Sequence, residues 1–442
     1  MIDRSGALSI LNIMGDTMKQ NKNIGFISFR ISGTDGVSLE TKKWAEVFEK
    51  NGYSCYYMAG ELDTPPEQSF IVDEAHFKHP EILRLYGMSF NVSTRPAELT
   101  RGLHRYREIL KTKLYDFVKR FNIGLIIPQN TLTIPLNLPL GMALTEFIAE
   151  TGMPVIAHHH DFFWERKRFL NNCVWDYFNS CYPPHMKNVH HVVINSSAQN
   201  QLALRTGISS TLIPNVMDFE HPPNGKDDYN ADARRALGID DDELCILQPT
   251  RVVQRKGIEN AIELVARLKM KATLVISHAS GDEGYEYQTR VKEYAELLGI
   301  RANFVEDIIG DKRSRTADGR KIYTLDDIYP HADLITYPSL VEGFGNAFLE
   351  AIYHRKPILV NNYSIYSHDI KPKGFDVIEM DNFISNSTVE YTRQLLKDPE
   401  RIRKMTEKNY KLGLKYYSYS VLETKLRHIT TSIWGSKEFR QL

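Results

Sequence analysis

Strand-length apolar runs alternate with amphipathic helical stretches along almost the whole chain, and this alternation constrains the fold more than any other feature. "NIGFISF" (Asn23–Phe29) is such a run. "RISGTDGVS" follows as a glycine-containing loop, "LETKKWAEVFEKNG" as a helix ended by Gly52, and "YSCYYMAG" as a second strand. Strand, glycine loop, helix, strand is the opening of a Rossmann-like unit. The stretch from about Pro65 to Lys119 reads as mostly helical. Strands then recur at "NIGLIIPQN" (Asn122–Asn130), "MPVIAHHHD" (Met153–Asp161), "HHVVINSS" (His190–Ser197) and "STLIPNVMD" (Ser210–Asp218), with "PLGMALTEFIAETG" as an intervening helix. Strands alternating with helices imply a parallel sheet covered on both faces.

"FEHPPNGKDDYNADA" (Phe219–Ala233) interrupts the pattern, and its Pro, Gly, Asn and Asp content predicts a linker. The alternation then restarts with strands at "LCILQPTRV", "ATLVISHAS", "ADLITYPS" (Ala332–Ser339) and "KPILVNN" (Lys356–Asn362). A last helical region runs from about Pro399 to Ile433. The expected architecture is α/β, with two doubly wound Rossmann-like domains and a cleft where the carboxyl ends of their strands face each other. The expected boundaries are 1–218 and 234–412, with 413–442 as a C-terminal helix crossing back to the first domain. Met1–Asn23 is expected to be an appendage or short helix.

Among 442 residues, Lys+Arg and Asp+Glu are both 55. A nucleic-acid binder carries a basic excess, so no nucleic-acid partner is expected. Cys55, Cys173, Cys181 and Cys245 form no C-x-x-C pair, which argues against a zinc ribbon or redox motif. No apolar run reaches the roughly 18 residues of a membrane helix, and "GALSILNIMG" lacks the basic start of a signal peptide. A cytoplasmic protein without a membrane span is the expectation.

Several segments carry chemistry. In "QPTRVVQRKGIENAIELV", Arg251 and Lys256 lie between a strand and a helix start, where they either hold a diphosphate or form an exposed basic loop. Gly33 and Gly36 of "RISGTDGVS" either approach a phosphate or make a tight turn; the spacing is neither G-x-G-x-x-G nor a Walker A loop. In "AHHHDFFWERKRF", strand alternation puts His158 and His160 on one side and His159 on the other, which argues against a three-histidine metal site. A polar cluster at a strand's carboxyl end is where such folds keep binding groups; the alternative is that one or two of these histidines serve packing. Arg166, Lys167 and Arg168 form either a solvated face or a receptor for an anionic acceptor. "DDD" at Asp240–Asp242 reads as a solvated turn. In "PSLVEGFGNAFLEA", Glu342 sits at a strand end and Glu350 about one turn inside the next helix. That placement suits gripping two parts of an elongated ligand better than a glycosidase acid/base pair.

These segments, in order, resemble the retaining family-4 glycosyltransferases with the GT-B fold. The resemblance rests on "GTDGVSLE", "AHHHD", "VINSSAQNQL", "IPNVMD", "PTRVVQRKGIENAI" and "YPSLVEGFGNAFLEA", and covers nearly the whole chain. It implies Glu342 at the donor sugar and Glu350 on the ribose of the nucleotide. It implies backbone contacts to the donor from Gly343, Phe344, Gly345, Asn346 and Ala347, and from Gly36 near the phosphates. Arg251 and Lys256 would neutralise the departing diphosphate. A histidine near the reacting sugar is implied, with His160 favoured and His159 as competitor. His159, Asp161, Arg166 and Arg168 are the candidate acceptor contacts. "HHHDFFWER" with "NAFLEAIYHRKPILVNNY" is similar to the mannosylglucosylglycerate synthases. Val216, His354 and Arg355 depart from the family pattern, where glycine or small residues are usual.

The activity so implied is transfer of a hexose, mannose or glucose, from a GDP- or UDP-linked sugar to a hydroxyl of a small, anionic acceptor, with retention. The donor would lie mainly on the C-terminal domain and the acceptor on the N-terminal one. The nucleotide sugar is a co-substrate; no metal is obligatory, a divalent ion being at most stimulatory. Two other readings are carried beside it: a non-hydrolysing sugar-nucleotide epimerase on the same scaffold, and a binding protein without catalysis.

Overall fold

The computed structural model describes residues 22–33, 35–279 and 285–434. The Met1–Asn23 segment lies outside them except for its last two residues. The chain divides into two units, one holding residues up to Pro214 and those from Leu422, the other Asn215–Val421.

The first unit is built on a parallel sheet of β1 (Asn23–Ile27), β2 (Ser54–Ala59), β3 (Ser69–Ile71), β4 (Leu125–Pro128), β5 (Val155–His159), β6 (Val189–Val193) and β7 (Ser210–Leu212). Its order is β3-β2-β1-β4-β5-β6-β7, so the winding direction reverses between β1 and β4. β4 and β5 are buried at every residue, which is why they read as unbroken apolar runs. Helices α1 (Gly36–Lys50), α2 (Pro80–Ser89), α3 (Ala97–Phe121), α4 (Leu138–Thr151), α5 (Trp175–Cys181) and α6 (Ser196–Thr206) cover it. α1 forms because Asp35 caps it and Thr41, Trp44, Ala45 and Phe48 give it one buried face; Gly52, at φ +75°, lets the chain leave. Leu110, Leu114 and Phe117 of α3 meet Ala143, Leu144 and Phe147 of α4 over β4 in a core of fully buried side chains. Each such large apolar side chain contributes roughly 1.5–3 kcal/mol.

The second unit repeats the scheme with β8 (Leu244–Gln248), β9 (Ala272–Ile276), β10 (Arg301–Phe304), β13 (Leu334–Tyr337), β14 (Ile358–Asn361) and β15 (Ile378–Met380). The order is β10-β9-β8-β13-β14-β15, with the reversal between β8 and β13. Its helices are α7 (Ile258–Leu268), α8 (Glu286–Leu297), α9 (Asn346–Tyr353), α10 (Asn386–Leu396) and α11 (Pro399–Tyr417). A small antiparallel hairpin, β11 (Ser314–Arg315) and β12 (Lys321–Ile322), stands apart from the sheet. The Tyr229 hydroxyl ties it down by donating to Ser314 O and Ile322 O, both at 2.8 Å.

The region from Pro65 to Lys119 is mostly helical, as expected, and adds the short edge strand β3. The last helical region is broken at Ser418, between α11 and α12 (Tyr419–Trp434). Residues from Leu422 onward group with the first unit. The polar stretch from Phe219 belongs to the second unit and is not a free linker. The Tyr410 hydroxyl donates to Phe219 O at 2.8 Å, and Glu220 accepts from Ser420 N at 2.9 Å and Tyr419 N at 3.3 Å. That carboxylate caps the start of α12, which explains the break at Ser418.

The ring of Phe219 fits only because residue 413 lacks a side chain: a Cβ there would lie 2.5 Å from Phe219 Cζ. Gly413→Ala is therefore expected to destabilise the protein by about 1–3 kcal/mol. Gly87→Ala, in α2 with nothing within 4 Å of the added methyl, is expected to be neutral or to stabilise by roughly 0.5–1 kcal/mol. Urea unfolding midpoints of the two variants check the opposite signs.

Candidate active site

Open α/β sheets bind ligands outside the carboxyl ends of their strands where the winding reverses. In the second unit that point is the β8–β13 pair. The Thr336 hydroxyl donates to Gln248 Oε1 at 2.7 Å and Gln248 Nε2 donates to Thr250 Oγ1 at 2.8 Å, locking the two strand ends together. The loop after β8 carries Arg251, Arg255 and Lys256; the loop after β13 carries Glu342. Leu340 N donates to Arg255 O at 2.8 Å, which fixes one loop against the other.

Lys256 Nζ donates to Glu342 Oε1, and Arg255 Nη1 reaches Glu342 Oε2 at 3.1 Å. The side chains of Lys256 and Glu342 are each only 10% exposed. Burial pulls Glu342 upward, but the Lys256 and Arg255 charges outweigh it and hold the carboxylate below its ordinary range. Lys256 is also held below its ordinary range, by burial first; Glu342 opposes this, while Arg255 and Arg251 add to it. The two directions look contradictory for one ion pair. They agree once neighbours are counted: Glu342 has two cations against it, Lys256 and Arg255, whereas Lys256 has one carboxylate and two further cations, Arg255 and Arg251.

The rest of the expected donor residues line up along the same loop. Gly345 has φ +126°, and a Cβ there would lie 2.4 Å from the Tyr363 hydroxyl, which donates to Phe344 O at 2.8 Å. Gly345 opens α9, and no side chain caps that helix. Phe344 and Ala347 are buried, and Gly343 is exposed. Asn346 Oδ1 accepts from Asn215 Nδ2 at 2.7 Å. Glu350 lies one turn further on and accepts from the Tyr329 hydroxyl at 2.8 Å; Tyr329 stacks flat on His354 at 4.4 Å. His354, a departure from the family pattern, thus backs the tyrosine that orients Glu350. The start of α7 is less open than the sequence suggests, because Ile258 N already donates to the Tyr287 hydroxyl at 3.0 Å.

In the first unit the polar cluster lies beyond β4 and β5. Asn130 Oδ1 accepts from His160 N at 2.7 Å, and Asn130 Nδ2 donates to Asp161 Oδ1 at 2.8 Å. Arg166 pairs with Asp161. His160 Nε2 is 3.0 Å from Gln129 Oε1; donating there, it keeps a lone pair on Nδ1. Burial lowers the pKa of His160 to about 4 against the opposing pull of Asp161 and Asp35, so the ring is neutral at pH 7. His158 stacks on Trp44 at 4.1 Å and serves packing. His159, expected among the acceptor contacts, is 1% exposed, on the opposite side of the strand, with its Nε2 2.9 Å from His191 Nδ1. Arg168 is also outside the cluster, with its guanidinium 4.7 Å over Phe169. Gly36 heads α1, but Asp35 already accepts from Val37 N at 3.1 Å and Ser38 N at 3.2 Å. The chain's own carboxylate thus holds the amides behind Gly36, whereas α9 has no such cap.

Sequence reading missed Arg255, Tyr329, Tyr363, Gln129 and His278. His278 follows β9, next to Ala279, whose carbonyl accepts from Val252 N at 3.2 Å. Burial and then the Arg251 and Lys256 charges lower its pKa, with Asp311 opposing. The adjacency of Arg255 to Lys256, and a histidine at the carboxyl end of a strand, were usable signals. Tyr329 and Tyr363 left none, because their hydroxyls reach the site only through packing.

The two Rossmann-like sheets, with a cationic loop and a carboxylate at the switch point of the second, make a GT-B glycosyltransferase. The chain belongs to the group 1 glycosyl transferases, whose family model matches residues 230–412. It is 31% identical to mannosylglucosylglycerate synthase of Petrotoga mobilis, over 88% of this chain and 97% of that protein. It is 32% identical to the mannosylglucosylglycerate synthase of Thermotoga maritima, over 90% and 97% respectively. A glycosyltransferase from Rickettsia africae shares the fold with a TM-score of 0.67 at 14% identity, covering 94% of this chain and 99% of that one. No helix among the described residues is long and apolar enough to cross a membrane.

Glu342→Gln leaves Lys256 and Arg255 without their shared counter-charge. The expected cost is about 3 kcal/mol at pH 7. Glu342 is depressed in the folded state, so its stabilisation is present above the unfolded carboxyl value of 4.5 and is lost as pH falls through the lower folded value. The difference between wild type and variant should therefore shrink below pH 4.5. Urea unfolding at a series of pH values tests this.

Proposed function

We propose that the protein is a retaining hexosyltransferase carrying mannose from a GDP- or UDP-linked donor to a hydroxyl of a small carboxylate-bearing acceptor. The observation that carries the reading is the charge imbalance after β8 and β13. Among the described residues, Glu342 pairs with both Lys256 and Arg255, and Arg251 adds a third positive charge beside Lys256. A diphosphate would supply the missing negative charge. The uncapped start of α9 offers amide groups to the same anion.

In this reading Glu350 holds the ribose, oriented by Tyr329. Glu342 holds the sugar hydroxyls. As the bond between sugar and phosphate breaks, charge builds on the leaving oxygen, and Arg251 and Lys256 stabilise it. The side-chain cations do the neutralising, so a divalent metal is at most stimulatory. Retention follows if the acceptor attacks from the face the diphosphate leaves. His160, neutral and held by Gln129 and Asn130, is assigned to the reacting sugar.

The relatives are mannosylglucosylglycerate synthases, a name that supports mannosyl transfer and a product carrying a glycerate carboxylate. Asp161 and Arg166 are the acceptor candidates, with glucosylglycerate as the acceptor that name suggests. Arg166 already pairs with Asp161, so an acceptor carboxylate has to share its charge.

Lys256→Ala and Arg251→Ala are each expected to lower kcat/KM by about 100-fold or more, measured by release of the nucleoside diphosphate. Wild-type turnover in both variants would remove the site assignment. Tyr329→Phe should raise the donor KM several-fold with kcat nearly unchanged, because it loosens Glu350 without touching the reacting bond. A carboxylate acceptor should be used well ahead of its methyl ester; equal turnover of the two would overturn the anionic-acceptor reading.

A further inference from the structure

The winding of the first sheet reverses between β1 and β4, and open α/β sheets take ligands in the crevice outside such a reversal. The acceptor candidates Asp161 and Arg166 stand on the β5 side of it. The β1 side carries a second arginine, Arg30. Beyond β1 the chain runs on beside the chain that follows β2: Gly60 N donates to Phe29 O at 3.0 Å, and Ile31 N to Glu61 O at 2.9 Å. Alternation along this stretch gives Arg30 the side that Phe26 takes. That side faces α1, since Phe26 packs edge-on against Phe48 at 6.5 Å. His158 faces α1 as well, through its stack on Trp44, and the His160 ring lies 4.2 Å from that of His158. Arg30 and His160 therefore share one face of the sheet.

Asp35 links the two. Arg30 Nη2 donates to Asp35 Oδ2 at 3.2 Å, and the charges of Asp35 and Asp161 both act on the His160 ring. Each aspartate near His160 thus carries one arginine: Arg30 from the β1 side and Arg166 from the β5 side.

The Arg30 pair is the looser of the two. Asp35 is committed to the start of α1: Oδ1 accepts from Val37 N and Ser38 N, and Oδ2 also accepts from Ser38 Oγ at 2.7 Å. Among the described residues, the Arg30 guanidinium donates to Asp35 alone, through one of its five N–H groups. Its side chain is 32% exposed. The other carboxylates at this edge have partners of their own. Glu61 accepts from Ser32 Oγ at 2.5 Å and lies 3.4 Å from His76 Nε2. Asp63 accepts from Gly33 N at 2.9 Å and Lys42 Nζ at 3.1 Å. A planar guanidinium held at one corner, with its other N–H groups open, is suited to take a carboxylate through two parallel bonds.

We infer that Arg30 selects a carboxylate-bearing acceptor, receiving the carboxylate on its open N–H groups beside His160. The inference rests on the anionic-acceptor reading and sharpens it. Arg30 rather than Arg166 reads the charge, because Arg166 is closed on Asp161.

Calorimetry tests this apart from turnover. Glucosylglycerate and its methyl ester are titrated into wild type and variants, with GDP and UDP in excess to occupy the cations after β8. Wild type is expected to bind the acid at least about tenfold more tightly than the ester, the worth of one charge-assisted contact. Arg30→Met should lower the affinity for the acid to that for the ester and leave the ester's unchanged; a merely structural role would weaken both alike. Arg30→Lys, which keeps the charge without the planar fork, should recover part of the preference, and Arg166→Met should retain it. No preference for the acid in wild type, or an undiminished preference in Arg30→Met, would overturn the inference. Loss of the preference in Arg30→Met, with no hexosyl transfer to the bound acid, would support Arg30 as the carboxylate receptor and remove the transfer reading instead. If Arg30→Met does not fold, Arg30→Gln, which keeps a donor for Asp35, carries the same comparison.

Discussion

The carboxylate of Glu342, held between Lys256 and Arg255, is the contact on which the second unit's site depends. It joins the loops that follow β8 and β13, whose strands are neighbours at the reversal of the sheet. Removing these groups from water is costly, and mutual pairing offsets much of that cost. Arg251 adds a third positive charge near Lys256. In the proposed reading, this charge and the uncapped start of α9 receive the diphosphate.

The glycines around Glu342 make sense in this setting. Gly345 adopts a backbone that side chains rarely take, and the Tyr363 hydroxyl occupies the space a Cβ would need. Gly257, at φ +60°, turns the other loop under Pro338, whose carbonyl would be 2.7 Å from an added Cβ. Both loops are thereby pressed together closely enough for Arg255 O to take Leu340 N. Behind them, Tyr329 and His354 form a stacked pair that fixes Glu350. The residues that bear charge are therefore supported by residues that bear none.

Much of this was legible beforehand. The apolar alternation gave both sheets, and motif spacing singled out Arg251, Lys256, Glu342 and Glu350. The period of a strand separated His159 from His158 and His160, whose rings pack 4.2 Å apart. Other features were not legible. Polar composition made Phe219–Ala233 look like a linker, but Glu220 caps α12 from about 200 residues away in sequence. Gly36 reads equally as a phosphate contact or a tight turn, and nothing in the sequence signals that Asp35 accepts from the amides of Val37 and Ser38 behind it. Arg255 sat in plain view beside Lys256, yet nothing local distinguished it from a solvated arginine.

Local sequence determined the elements themselves: which runs are strands, where helices start and stop, and which side of a strand each residue takes. These follow from backbone periodicity and capping, which act over a few residues. Only the tertiary structure decided the partners. Lys256 and Glu342 are 86 positions apart, and His159 and His191 are 32 apart. Their contacts depend on which strands lie side by side and how closely the loops between them approach. Hydrogen bonds and ion pairs form only over a few ångströms, so these contacts become definite only once the sheets have been assembled.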